Sequence, residues 1–277
     1  MVDAVHQTFK CITMETYKKT DVLLKAQDVN LYYDNKQILR DVNLEIRDIV
    51  RPGVTQGQVV SLVGRSGIGK TQLFKILSGL QKPTSGNITI NNNQTVKAGD
   101  MGVVFQNYYL FEWRTVKQSL MLAAKKNPAL KGKELEEIKR CAEQFCIAEH
   151  LDKYPQQLSG GQRQRASIIQ QLVNGSNFLL LDEPFSGIDV IVLDKVVQLL
   201  QQVSLSDELK TIIIVSHDIE TATALSDTVF ILAQEPNKPG ATIVKTIDLI
   251  ERDCAWQHDV KSKAVFMDTI KEIKSLL

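Results

Sequence analysis

The chain has 277 residues, enough for one large two-lobed domain with a substantial core, and its 33 basic and 32 acidic residues leave a formal net charge of +1. That balance lacks the basic footprint of a nucleic-acid binder, so no nucleic-acid partner is expected. No apolar stretch approaches the roughly 20 residues that cross a bilayer, and Met1 to Lys10 has no apolar core of a secretion signal, so membrane association is expected only through a partner.

Residues 1–23 read as a polar, weakly patterned extension with no structure assigned. Leu24 to Ile46 predicts two strands of an antiparallel layer, turned by Asp34-Asn35-Lys36. Asp48 to Gln56, with Arg51-Pro52-Gly53, predicts a lengthened surface loop. Gln58 to Val63 then reads as a short buried strand, and Thr71 to Leu77 has the apolar spacing of a helix.

Between that strand and helix, Gly64-Arg65-Ser66-Gly67-Ile68-Gly69-Lys70-Thr71 satisfies the phosphate-loop pattern in the strand-to-helix context the pattern requires. Gly64, Gly67 and Gly69 let the backbone wrap an anion with its N–H groups inward, and the helix that follows adds the positive end of its dipole. Lys70 is expected to neutralise β/γ-phosphate charge and Thr71 to ligate Mg2+, with Ser66 and Gln72 beside the same nucleotide.

Gln81 to Gly86 breaks the chain, Asn87 to Ile90 returns as a strand, and Asn91-Asn92-Asn93 marks a turn. Residues of about 107–172 predict a helical lobe, with helices at Thr115 to Ala124 and Lys133 to Cys146, the second rich in Glu–Lys pairs at helical spacing. In Asn177 to Pro184 an apolar run ends in Asp182-Glu183, which suits a central strand buried on both faces. At the carboxyl end of such a strand Asp182 can meet the nucleotide's Mg2+, and Glu183 is the candidate general base for an attacking water. Thr211 to Ser216 reads as a further strand, followed by His217, a helix at Ile219 to Leu225 and a strand at Thr228 to Leu232. Residues 24–240 are expected to form one ATPase domain; 241–277, a strand and an amphipathic helix at Ala264 to Leu276, are too few for a separate barrel. Cys11, Cys141, Cys146 and Cys254 lack metal-binding spacing and are expected as reduced thiols with no metal or redox role.

The octapeptide Leu158-Ser159-Gly160-Gly161-Gln162-Arg163-Gln164-Arg165 resembles the signature of ATP-binding-cassette (ABC) transporter ATPases, and other motifs of that family stand in order from about 25 to 232. Gln106 matches the Q-loop glutamine, which touches Mg2+ and water and carries strain to the membrane partner. Ser186-Gly187-Ile188-Asp189 occupies the D-loop, and His217 matches the switch histidine that reads the γ-phosphate. Tyr33 falls where the family stacks a ring on adenine, with Tyr32 the alternative.

The resemblance implies an α/β fold of the P-loop NTPase class, an ABC-type nucleotide-binding domain with a RecA-like core, an antiparallel β subdomain and the helical lobe. It implies an ATP-hydrolysing, energy-coupling subunit at the cytoplasmic face of a membrane, held there by transmembrane permease subunits. The cofactors implied are ATP and Mg2+. It also implies a homodimer, because ATP held by one copy is completed by the signature of the other, where Ser159, Gly160 and Gly161 open a helix from Gln162 to Val173 with a phosphate-attracting N-terminus.

Tyr109 to Val116 resembles the Leu-x-Pro-Trp-x-Thr-Val run of nitrate, sulfonate and taurine importers, implying a small anionic or organic solute, an extracytoplasmic solute-binding protein, and Trp113 in the permease groove. Arg65, Ile68, Gly187, Ile188 and Thr221 depart from the family's commoner residues. Two further readings stay open: a cytosolic cassette remodelling nucleic acid or ribosomes, and a non-transport cassette in an envelope, lipid-trafficking or division complex.

Overall fold

The computed structural model describes residues 17–50, 57–91, 93–185, 211–255 and 259–277. Asp189 and the rest of the expected D-loop from Ser186, Arg51 to Gln56 of the expected surface loop, and Cys11 lie outside these residues.

Among the described residues the strands form one ten-stranded sheet. They are β1 (Lys18–Tyr33), β2 (Lys36–Val50), β3 (Gln58–Val63), β4 (Ser85–Ile90), β5 (Gln94–Thr95), β6 (Gly102–Val104), β7 (Phe178–Asp182), β8 (Thr211–Ser216), β9 (Thr228–Gln234) and β10 (Ala241–Asp248). Their order across the sheet is β5-β4-β1-β2-β10-β9-β3-β8-β7-β6. One half is antiparallel (β5, β4, β1, β2); in the other, β9, β3, β8, β7 and β6 run parallel, and β10 closes that half antiparallel to β9. The halves meet at a single parallel bridge, Ala241 to Leu39.

β3, β7 and β8 are buried at every position, and their alternate residues enter opposite cores. Val59, Val63, Leu179, Leu181, Ile212 and Ile214 face a core filled by the helices α2 (Val116–Ala124), α3 (Glu134–Gln144), α4 (Gly160–Val173), α5 (Ile219–Leu225) and α6 (Ala264–Leu276). Val60, Leu62, Leu180, Ile213 and Val215 face a second core made by α1 (Lys70–Leu77) and the inner faces of β1, β2 and β4.

Several boundaries differ from the sequence reading, among them β4 from Ser85 and β9 to Gln234. β1 starts at Lys18, upstream of Leu24, and β2 runs on to Val50, because Lys18 pairs with Val50 and Lys19 with Ile49 beyond the core. Most side chains from Lys18 to Leu23 are exposed or half-buried, so this arm of the ribbon carries no alternation to read. Helix α4 begins at Gly160, two residues before Gln162, since Ser159 is its N-cap. Cys141 is buried in α3, whereas Cys146 is exposed just past its end.

Candidate nucleotide site and signature helix

The register of the parallel strands assembles the site. Val63 pairs with Ser216 and Asp182 with Val215, while Val104 pairs with Leu181. The segments that follow these residues therefore leave one edge of the sheet: the phosphate loop, Glu183, His217 and Phe105-Gln106. They wall a cleft of about 390 Å³ lined by Tyr33, Ile38, Ser66, Gly67, Gly69, Lys70, Thr71, Gln72, Gln106, Glu183 and His217.

The loop needs glycine at two points. Gly69 caps α1 with φ 114°, a backbone state that side chains rarely adopt. A Cβ on Gly64 would lie 2.6 Å from the Leu232 carbonyl oxygen, so only glycine lets the loop turn against β9. Lys70 is 6% exposed. Its Nζ donates to the carbonyls of Gly64 at 2.9 Å and Arg65 at 3.0 Å, and lies 3.7 Å from Glu183 Oε1. Burial lowers the Lys70 pKa, against the opposing pull of the Glu183 and Asp182 charges.

Asp182 is 5% exposed and hydrogen-bonded to the Thr71 hydroxyl, but its Oδ1 has no hydrogen-bond partner. Burial raises its pKa and the neighbouring Glu183 charge adds to the rise, against Thr71 and Lys70. A buried carboxylate oxygen left without a donor fits a hard cation. Thr71 and Gln106, which line the adjoining cleft, could join it in an all-oxygen donor set of the kind Mg2+ takes.

Glu183 holds a left-handed backbone, φ 51°, fixed by its N–H bond to the Val215 carbonyl at 2.8 Å. Its Oε2 accepts from His217 Nδ1 at 2.7 Å, from the His217 N–H at 3.2 Å and from Ser216 Oγ at 3.3 Å. Tyr33 rather than Tyr32 reaches the cleft. Its hydroxyl donates to Gln72 Oε1 at 2.8 Å and accepts from Gln81 Nε2 at 2.9 Å, which fixes the ring beside the phosphate loop. Ile38 and Ser216 were missed in the sequence. Ile38 lies in the alternating pattern of β2, and Ser216 immediately precedes His217, so both carried a positional signal.

Ser159, Gly160, Gly161 and Gln162 do not line this cleft. They open α4 with a capping box: the Gln162 N–H donates to Ser159 Oγ at 3.3 Å and the Ser159 N–H to Gln162 Oε1 at 2.8 Å. Gln162 Nε2 also meets His150 Nε2 at 2.7 Å. A Cβ on Gly160 would have nothing within 4 Å, so the corner is open on its outer side.

The model of a family described as "ABC transporter" matches residues 48–186, half of the chain. The chain belongs to the ABC transporter family. Among its relatives, it is 34% identical over 217 residues to the thiamine import ATP-binding protein ThiQ of Aliivibrio fischeri, a match covering 77% of this chain and 88% of ThiQ. It is 35% identical over 216 residues to the nitrate import ATP-binding protein NrtC of Synechococcus elongatus, covering 76% of this chain and 31% of NrtC. The chain thus spans less than a third of the length of the nitrate and bicarbonate relatives it matches. In fold it is similar to the dimeric ABC cassette MJ0796 bound to ADP and Pi, with a TM-score of 0.67 at 25% identity, covering 82% of this chain and 99% of that one. The P-loop NTPase fold and the likeness to nitrate-type importers expected from the motifs agree with these matches. Among the described residues no helix is long and apolar enough to cross a membrane.

Proposed function

We propose that this chain hydrolyses ATP as the energy-coupling subunit of a membrane importer, two copies closing on two nucleotides. The observation that carries the reading is the meeting of Lys70, Thr71, Glu183 and His217 in one cleft, beside the orphaned Asp182 oxygen, while the Ser159 corner stands outside it. A site with its own phosphate loop and no signature is half built. A second copy offering the N-terminus of α4 would complete it.

In this reading the backbone from Gly64 to Gly69 and the Lys70 ammonium hold the β- and γ-phosphates, and Tyr33 takes the adenine face. Lys70 first exchanges its bonds to Gly64 and Arg65 for phosphate oxygens. Glu183 accepts the proton of the attacking water, and His217, already on its Oε2, orients the carboxylate and reaches for the γ-phosphate. Thr71, Asp182 and Gln106 would hold Mg2+, which when bound would neutralise phosphate charge. Ser159, Gly160, Gly161 and Gln162 face the partner copy's γ-phosphate. Loss of phosphate removes contacts made only in the closed pair, so the pair reopens.

The membrane partner is a permease pair. Trp113 is 73% exposed beside Phe111, with ring centroids 5.5 Å apart, in the segment that follows Gln106. Exposed aromatic residues of this kind anchor interfaces. A groove of about 620 Å³ lined in part by Phe111, Leu122, Lys126, Asp100 and Asn174 meets it at Phe111 and suits a docking helix. Relatives named for nitrate, bicarbonate and thiamine support a small anionic or organic solute, delivered by an extracytoplasmic binding protein. Purifying the tagged chain from detergent-solubilised membranes tests the reading. Transmembrane subunits and a solute-binding protein should co-purify; recovery with ribosomal or other soluble partners alone would contradict it.

A further inference from the structure

The segment after Gln106 is tied to both halves of the nucleotide machinery. Just before it Phe105 packs edge-on against Phe74 of α1, the helix of the phosphate loop, with ring centroids 5.7 Å apart, and against Tyr109 of the segment at 5.6 Å. At its end Glu112, next to the exposed Trp113, receives Arg163 from the first turn of α4. Arg163 Nη2 lies 2.9 Å from Glu112 Oε1 and 3.0 Å from Oε2, and its Nε donates to the Pro155 carbonyl at 2.8 Å. One guanidinium thus fastens three pieces of chain to each other.

The same turn of helix carries the signature corner. The Arg163 N–H bonds the Ser159 carbonyl at 2.9 Å, and the next residue, the buried Gln164, donates to the Pro184 carbonyl beside Glu183. A tilt of Arg163 therefore moves Ser159 on one side and pulls on the Glu183 segment on the other. An ordinary surface ion pair has none of these ties. This one is half-buried, charge-assisted and held by a third hydrogen bond.

We infer that Glu112 is a positioning residue: through Arg163 it sets the angle at which the Ser159 corner meets the partner copy, and so transmits displacement of the Trp113 segment to ATP closure. Neither residue lines the nucleotide cleft of its own chain. The inference rests on the sandwich reading above, and the experiment separates the two.

In the catalytically slowed Glu183→Gln background, dimer formation is titrated with MgATP by light scattering for the parent, Glu112→Gln, Arg163→Gln and the double variant. Turnover of each is measured with Glu183 intact, and nucleotide binding is followed by thermal shift. Removing the Glu112 charge should raise the MgATP concentration for half-dimerisation and lower kcat by about five-fold, the scale of a well-held partly exposed pair. Binding to the single copy should stay unchanged. Arg163→Gln should do the same, the double variant should be no worse than either single one, and Glu112→Asp should restore most of the loss. Dimerisation and turnover equal to the parent, or additive losses in the double variant, would overturn the latch while leaving the sandwich standing. A parent that never dimerises would remove the sandwich, and the latch with it. A variant whose thermal midpoint collapses would mark the pair as structural and also count against the inference, with Glu112→Asp as the milder check.

Discussion

Asp182→Asn offers the sharpest separation of folding from function. Asp182 Oδ1 is buried at the end of β7 with no donor, and burial raises its pKa, so the native fold holds this carboxylate at a cost. A buried charged oxygen left without a donor costs about 1–3 kcal/mol or more, and the neutral amide is cheaper to bury and escapes the repulsion from Glu183. Part of that is offset by attraction to Lys70 and Lys75, which the neutral amide gives up. We expect a net gain of about 1 kcal/mol for the nucleotide-free variant, or about 2–4 °C in Tm. The pH dependence has a fixed sign. A carboxyl whose pKa is raised on folding lowers stability as pH climbs from its ordinary value through the raised one, and the variant lacks that loss. Its advantage over the wild type should therefore be full above the raised pKa and shrink on acidification through it.

With saturating ATP the order reverses. The wild type should gain about 2.7 kcal/mol at a ligand concentration a hundred times Kd, and the part of the gain that disappears with a chelator should be missing from Asp182→Asn. Differential scanning calorimetry with ATP, with and without Mg2+, reads both effects. A nucleotide-free variant less stable than the wild type, or an equal Mg2+-dependent shift in both proteins, would refute the assignment of the orphaned oxygen to a cation.

Glu183→Gln should slow phosphate release by about 10²- to 10⁴-fold, the contribution of a general base, with ATP binding kept; unaltered turnover would take Glu183 out of the chemistry. Lys70→Ala should abolish the thermal shift given by MgATP, since no other ammonium group lines the cleft among the described residues, and an undiminished shift would move the nucleotide elsewhere. Ser159→Arg should leave nucleotide binding by one copy intact yet block pairing, because bulk and positive charge would enter the open corner at Gly160. Pairing that survives this change, read by size-exclusion chromatography, would remove the signature from the interface.

The motifs made the parallel half of the fold legible because its chemistry and its core share the same strands. β3, β7 and β8 are fully buried, largely apolar strands ending in Gly64, Asp182 and His217 respectively or beside them, so the hydrophobic pattern and the site point to one sheet edge. The outer arm of β1 was not legible, since its residues up to Leu23 bury little and pair mainly through backbone. Ties between distant segments were also hidden. Glu112 and Arg163 lie 51 residues apart, and neither spacing nor periodicity foretells their meeting. The same holds for Tyr33 with Gln72 and Gln81, which only the fold of β1 over α1 brings together.

The central claim is that the site in one chain is completed by the Ser159 corner of another. The most direct measurement is the solution mass of the Glu183→Gln protein by light scattering as MgATP rises to millimolar concentration. The mass should shift from one copy to two, a change reversed by ADP and absent when Ser159→Arg is added. A protein that remains a single copy throughout, both alone and with its permease, would contradict it.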